Sequence, residues 1–262
     1  MLKKIYIDNF RHFRDFTFEP NEQVTLLSGL NGTGKTTIVE VVNRLQQFLV
    51  AGASADSIWP FRDKPKWKSG HSEPAIFGLD FKIDQQEFLY RLKVASFGLL
   101  TGMGVQEESL LVNGEAIYIS KDGNAETQMP HASLASVMLG IGLFTPTSEK
   151  KSSYPVDTSL TGLKVASRQH TFIRTFLNAV ETRIYAISLN PYLISGIHQE
   201  PGNVLQPDGS NFSAWFDTLT DKHMGSIGNY FSEIKAFIPG FEQFIFDRQT
   251  TTIRLHHKIY QV

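Results

Sequence analysis

The sequence predicts an α/β fold in which a strand, a glycine-rich loop and a helix are joined to an antiparallel β flank and a helical insertion. Three observations predict it. Gly29-Leu30-Asn31-Gly32-Thr33-Gly34-Lys35-Thr36 is a complete G-x-x-x-x-G-K-[ST] run. It stands between the apolar run Val24-Thr25-Leu26-Leu27, which reads as a buried strand, and Ile38, Val41, Val42, Leu45, Phe48 and Leu49, which recur at helical spacing. Farther on, Ala75 to Ile83, Glu87 to Val94, Ser109 to Val112 and Ala116 to Ser120 read as short strands, with Asn113-Gly114 and Asp122-Gly123 as turn signals.

The remaining elements follow in chain order. Ile5 to Ile7 and Phe16 to Phe18 alternate as strands around the segment Asn9-Phe10-Arg11-His12-Phe13-Arg14, which reads as a hairpin. The stretch 51–74, rich in Gly, Ser, Pro and charge, predicts a surface loop. Phe172, Ile173, Phe176, Leu177 and Val180 mark a helix running into an apolar strand, Arg183 to Leu189, a pairing suited to an α/β core. Phe212, Trp215, Phe216 and Leu219 mark another helix, with cap residue types in Asp208-Gly209-Ser210-Asn211 before it. Ile227, Tyr230, Phe231, Ile234 and Phe237 extend the pattern to Pro239-Gly240, and Phe241 to Phe246 with Thr251 to His256 read as a last hairpin. The expected organisation is one body: 1–50 with hairpin, loop and first helix, 51–74 as surface loop, 75–125 as β flank, and 126–262 as helices and strands.

The glycine-rich run carries a specific chemistry. Its glycines let the backbone curl until successive N–H groups point at one phosphate, and the following helix adds its positive dipole end. Lys35 would reach the β- and γ-phosphates of ATP, and the Thr36 hydroxyl would ligate Mg²⁺. A turn that merely opened a helix would need neither lysine nor threonine.

Composition narrows the classes further. The chain has 262 residues, 41% of them hydrophobic, which is enough for a sizeable core. A net charge of −1 excludes a globally basic nucleic-acid binder and leaves only a local patch. The absence of cysteine excludes disulfides, thiol catalysis and cysteine-ligated zinc, and fits a cytoplasmic location. No signal-peptide core and no apolar run of membrane-spanning length is expected to be present.

Ile7-Asp8-Asn9-Phe10-Arg11-His12-Phe13 ahead of Gly29 to Thr37 resembles the opening of the RecF/SMC-like branch of ABC-type ATPases. Later pieces are similar to a prokaryotic group of AAA-family ATPases in that branch: Glu107-Glu108-Ser109-Leu110 before Asn113-Gly114-Glu115, then Asn190-Pro191-Tyr192, then Leu205 to Phe212. The resemblance implies a P-loop NTPase of ABC/SMC-head type that binds Mg-ATP and closes into a homodimer over two nucleotides. Asn31, Gly32, Thr33, Gly34, Lys35, Thr36 and Thr37 match its phosphate loop, with Thr36 on the metal. Arg11 matches an arginine that in related heads approaches the phosphates; the alternative is a surface charge on a hairpin turn.

The departures restrict the activity. Such heads carry a Leu-Ser-Gly-Gly-Gln-like signature and an apolar strand ending Asp-Glu, and neither is found. Ala75 to Asp80 ends in aspartate but continues with Phe81, and Phe244 to Asp247 continues with Arg248. No residue is assigned a catalytic role. The reading is of the amino-terminal portion of a head, a fragment in preference to a short form that lost or outsourced hydrolysis, because Ile253 to Tyr260 ends without elements to cover a sheet edge.

Trp59-Pro60-Phe61-Arg62-Asp63-Lys64-Pro65-Lys66-Trp67-Lys68 interleaves three aromatics with four basic residues. Arg62, Lys64, Lys66 and Lys68 could contact DNA phosphates while the rings stack on bases, or the tryptophans could simply pack on the domain. The eight histidines show no metal-binding spacing. The expected function is therefore ATP binding in DNA maintenance or anti-phage defence, with turnover needing residues from elsewhere. A nucleotide-sensing module that works with an effector protein and a small-molecule P-loop kinase are the other classes considered.

Overall fold

A computed structural model describes residues 1–64, 73–97, 102–128, 152–190, 192–194, 202, 205–222, 224–237, 241–247 and 252–257. Its contacts divide the chain into two compact units, Met1–Ile184 and Tyr185–Val262.

The first unit is built on one antiparallel sheet of eight strands in the order β2-β1-β3-β4-β5-β6-β7-β8. The strands are β1 Leu2–Asp8, β2 Phe16–Phe18, β3 Ala75–Ile83, β4 Gln86–Ser96, β5 Met103–Val112, β6 Glu115–Lys121, β7 Asn124–Thr127 and β8 Ser152–Pro155. From β3 to β8 it is a meander, and three of its turns contain two residues with positive φ: Asp84-Gln85, Asn113-Gly114 and Asp122-Gly123. Such turns match the twist of the strands they join. Asp84-Gln85 lacks the glycine that makes the other two legible.

One face of this sheet is the core. Phe77 pairs with Leu92, Leu79 with Tyr90 and Phe81 with Phe88, all fully or nearly fully buried. Ile5 and Ile7 continue the face on β1, opposite Leu79 and Phe77. Helices cover it. Helix α1, Lys35–Gln46, continues through a wide turn, Gln47–Ala51, and buries Val41, Leu45, Phe48 and Leu49 at the predicted spacing. Helix α4, Thr171–Arg183, sets Phe176 on Phe81, Phe88 and Tyr90 at ring distances of 5.9, 6.4 and 5.5 Å. The Gln46 amide donates to the Val180 and Ile184 carbonyls, tying α1 to the end of α4.

The expected surface loop is in its first part a folded segment. Helix α2, Ala55–Ile58, is capped by the Ser54 hydroxyl, which accepts from the Ser57 N–H, and a single 3₁₀ turn follows at Phe61–Asp63. Trp59 between them is almost fully buried, stacked on Phe77 and edge-on to Phe48. An aromatic of that size hides its apolar area more favourably than it hydrates, and it carries its flanking residues with it.

Two expected strands are corrected. Val24 to Leu27 forms no strand, and Val24 and Leu26 are 81% and 87% exposed. Arg183 to Leu189 continues helix α4 for one residue and then runs without regular structure, leaving Tyr185 and Leu189 exposed. An apolar run becomes a strand only where a neighbour takes its successive backbone hydrogen bonds; among the described residues no strand pairs with either run, and from 183–189 the Ser188 N–H donates singly to the Pro207 carbonyl at 2.7 Å.

A buried acid sits on an inner strand of the sheet. Glu108 on β5 is fully buried on the core face and accepts from the Tyr90 hydroxyl at 2.9 Å, the Thr161 hydroxyl at 2.6 Å and the Gly162 N–H at 3.0 Å. This fastens the chain before helix α3, Leu163–Ala166, onto the sheet. Burial pushes the Glu108 carboxyl above its ordinary pKa, although its hydrogen bonds oppose the shift.

In the second unit, helix α5, Phe212–Lys222, follows a turn in which the Asp208 carboxylate accepts the Ser210 N–H and the Asn211 side chain accepts the Gln206 N–H. Helix α6 spans Met224–Phe237, and β9, Phe241–Asp247, pairs antiparallel with β10, Thr252–His257, as the last predicted hairpin. Pro239-Gly240 lies outside the described residues.

Candidate phosphate-binding site

The glycine-rich loop is shaped by positive φ. Gly32 has φ +84° and Gly34 φ +97°, values that L side chains rarely adopt. Gly34 serves as N-cap of α1, and its carbonyl accepts the Ile38 N–H at 3.1 Å. The first N–H groups of α1 therefore point into the loop, where helix geometry leaves them without carbonyl partners.

Side chains tighten the same curl. The Thr33 hydroxyl donates to the Leu30 carbonyl at 2.9 Å. The Lys35 ammonium donates to the Gly29 and Leu30 carbonyls at 2.8 and 2.7 Å and to the Thr33 hydroxyl at 3.4 Å. Asn31, Gly32, Gly34, Lys35, Thr36, Thr37 and His12 line a cavity of about 330 Å³. Gly32 adds no bulk there: a Cβ on it would meet nothing within 4 Å.

Such a concavity suits a phosphate chain, since it combines backbone donors, one lysine and the exposed Thr36 hydroxyl. Thr36 is its only candidate metal ligand of the ordinary P-loop kind, and no carboxylate is among the lining residues. Among the described residues no cluster of three or more His, Cys, Asp or Glu could hold a metal unaided. Mg²⁺ would therefore take most of its oxygen ligands from phosphate and water, as that ion commonly does.

Arg11 stands at the tip of the β1–β2 hairpin. Phe10 and Phe13 exchange backbone hydrogen bonds of 3.3 and 2.9 Å and are both buried, so Arg11 and His12 make the two-residue tip. The Arg11 guanidinium donates to both Glu40 carboxylate oxygens at 2.5 and 2.7 Å, and to Asp63 at 3.3 Å. Arg44 bonds Glu40 and Asp63 from the other side at 2.6 and 2.7 Å. Burial works to lower the Arg11 pKa, but the bonds and charges of Glu40 and Asp63 outweigh it and raise it. Arg11 is thus placed next to the phosphate loop but is not among the residues lining its cavity.

The basic segment is divided. Arg62 is exposed. Lys64 is buried, its ammonium donating to the Glu73 carbonyl at 3.1 Å and lying over the Phe61 ring, and burial lowers its pKa. Lys66, Trp67 and Lys68 lie outside the described residues. Asp80, the aspartate that ends an apolar run, is ion-paired to Arg91 on the neighbouring strand.

Glu40 lies in no motif, and His12 and Asp63 lie within the hairpin motif and the basic segment, neither of which assigns them a role. Each lies beside a functional candidate only because the hairpin, α1 and the 3₁₀ turn converge.

Loop, cap and cavity together have the form of a P-loop. Residues 4–44 match the model of an AAA domain. Over 42 residues the chain is 45% identical to the DNA replication and repair protein RecF of Chlorobium phaeovibrioides, a match covering 16% of this chain and 11% of that protein. RecF of Chlorobium luteolum is 43% identical over 42 residues, covering 16% of this chain and 11% of the relative. RecF of Teredinibacter turnerae is 43% identical over 44 residues, covering 17% and 12%. On this amino-terminal segment the chain is similar to an AAA domain and to RecF proteins, and it matches about a tenth of those relatives' length. Among the described residues no helix is long and apolar enough to cross a membrane.

Proposed function

We propose that this protein binds Mg-ATP through Asn31 to Thr37 and serves DNA maintenance in the cytoplasm as part of a RecF-like machine. The observation that carries this is the glycine-capped loop whose cavity is lined by Asn31, Gly32, Gly34, Lys35, Thr36 and Thr37. Backbone N–H groups of the loop hold the phosphate chain, and Thr33 keeps the curl through its bond to Leu30. The Lys35 ammonium exchanges its loop carbonyls for the β- and γ-phosphates. The Thr36 hydroxyl gives one ligand to Mg²⁺. The metal when bound neutralises phosphate charge and draws electrons from the γ-phosphoryl group.

Arg11 joins the phosphates by exchanging Glu40 and Asp63 for them, which requires the hairpin tip to shift. Hydrolysis needs a residue that activates water, and this reading takes it from elsewhere, either another part of the protein or a second copy closing over the nucleotide. Contact with DNA is assigned to Arg62, Lys66 and Lys68, with Lys64 anchoring the segment. The homodimer rests on the family likeness, and the DNA contact on the interleaving of basic and aromatic residues in 59–68.

Isothermal titration with Mg-ATP tests the core of the reading. Binding should weaken about a hundredfold or more in Lys35→Ala, the equivalent of one or two charge-assisted hydrogen bonds, with an unchanged melting temperature. No heat of binding by the unaltered protein would end it. Steady ATP turnover by this chain alone, abolished by Lys35→Ala, would contradict the assignment of hydrolysis to residues elsewhere.

A further inference from the structure

We propose that His12 is a phosphate-contacting residue of the nucleotide site, donating a hydrogen bond from its imidazole to the phosphate chain and adding positive charge there when protonated. The inference rests on the phosphate-loop reading above. His12 is the single lining residue of the cavity that comes from outside the loop and the start of α1. Its ring lies so close to Gly34 that a Cβ on that glycine would overlap the imidazole Nε2 and stand 2.7 Å from Phe13 Cζ. The ring is held against Phe13 at 4.4 Å between centroids, and Phe13 is buried and stacked on Phe16 at 4.3 Å. The imidazole is therefore positioned by packing yet exposed toward the cavity.

Charge favours the same role. Among the lining residues Lys35 is the only other charged side chain, so no carboxylate competes for the imidazole from the cavity side. On its own hairpin, Arg11 is taken up by Glu40 and Asp63, while Arg14 and Asp15 are exposed and Asp15 accepts the Tyr6 hydroxyl. The tip thus presents an imidazole to the cavity while its guanidinium is turned into an ion-paired network. Histidine is the side chain that ordinarily changes charge between pH 5 and 8, so its contact with an anion is read by pH. A contact near Gly34 at the helix N-terminus selects phosphate oxygens over the base as the group touched.

The test compares Mg-ATP and inorganic tripolyphosphate binding to the unaltered protein, His12→Ala, His12→Gln and Lys35→Ala at pH 6 and pH 8, with melting curves for each. Titration of the ligand itself is common to all four proteins and cancels in the ratios. His12→Ala should weaken both ligands about three- to tenfold at pH 6 and less at pH 8. His12→Gln, which keeps a donor without the charge, should fall between the two at pH 6 and approach the unaltered protein at pH 8. Equal affinities of His12→Ala and the unaltered protein, with Lys35→Ala inactive, would overturn the role of His12 and leave the ATP site standing. Loss for ATP but not for tripolyphosphate would also overturn it, since the ring would then act on the base. Failure of the unaltered protein to bind either ligand would overturn the site itself.

Discussion

The phosphate loop and the Glu108 cluster both gather polar groups around one charged or ionisable side chain, but with opposite burial. Lys35 bonds three loop oxygens in a half-open site. Glu108 accepts three hydrogen bonds inside the protein, with no exposed surface. In the open site water can replace any lost partner, so the side chain is free to exchange carbonyls for a ligand. In the closed site nothing can replace the carboxyl, so its role is to fix structure. Substitution of Lys35 should change binding and not stability, and substitution of Glu108 the reverse.

The largest expected effect is at Glu108. Glu108→Ala strands the Tyr90 and Thr161 hydroxyls and the Gly162 N–H, and should cost about 3–5 kcal/mol, measured by chemical denaturation. Gly34→Ala comes next. A non-glycine residue at φ +97° costs about 1–2 kcal/mol, and the overlap with His12 adds to it, so both stability and Mg-ATP binding should fall. Arg44→Ala removes one of two guanidinium groups shared by Glu40 and Asp63, and also the donor to the Ile58 carbonyl at 2.7 Å. A loss of about 1–2 kcal/mol is expected from thermal or chemical unfolding, with Arg11 still paired.

A pH series sharpens the contrast. The folded protein holds the Glu108 proton more tightly than the unfolded chain does, because its folded pKa is raised above the ordinary 4.5. Its contribution to stability is therefore complete below that ordinary value and is lost as pH rises through the raised one. Denaturation midpoints of the unaltered protein should decline over that range more steeply than those of Glu108→Gln, whose amide does not titrate. Equal slopes would place the titrating group elsewhere. The smallest effect is at the lead-in to the loop: Val24→Thr and Leu26→Thr should each change stability by within about 0.5 kcal/mol, since both side chains are largely exposed.

Legibility followed how local each signal is. Asn113-Gly114 and Asp122-Gly123 name their own turns, because positive φ is a property of the residues themselves. Asp84-Gln85 makes the same kind of turn without glycine, and it is visible only from the register of β3 and β4. Val24 to Leu27 is an apolar run that reads as a buried strand and is not one, since the pairing partner is not encoded in the run itself. Arg11 was marked by its motif, but its bidentate hold on Glu40 depends on a residue 29 positions away. Trp59 reads equally well as a base-stacking ring and as a core residue, and burial against Phe77 and Phe48 decided between them.

By itself the sequence determined the glycine-rich loop at Gly29 to Thr36, the helix that follows it, and the hairpin order of the flank. Each of these rests on short-range rules: glycine at positive φ, apolar residues on one helical face, alternation between turns. Only the tertiary structure decided that His12 borders the cavity, that Arg11 turns to Glu40 and Asp63, and that Glu108 closes under Thr161 and Gly162. Those outcomes depend on which distant groups come within hydrogen-bonding reach once the aromatic core has assembled, and no local pattern carries that information.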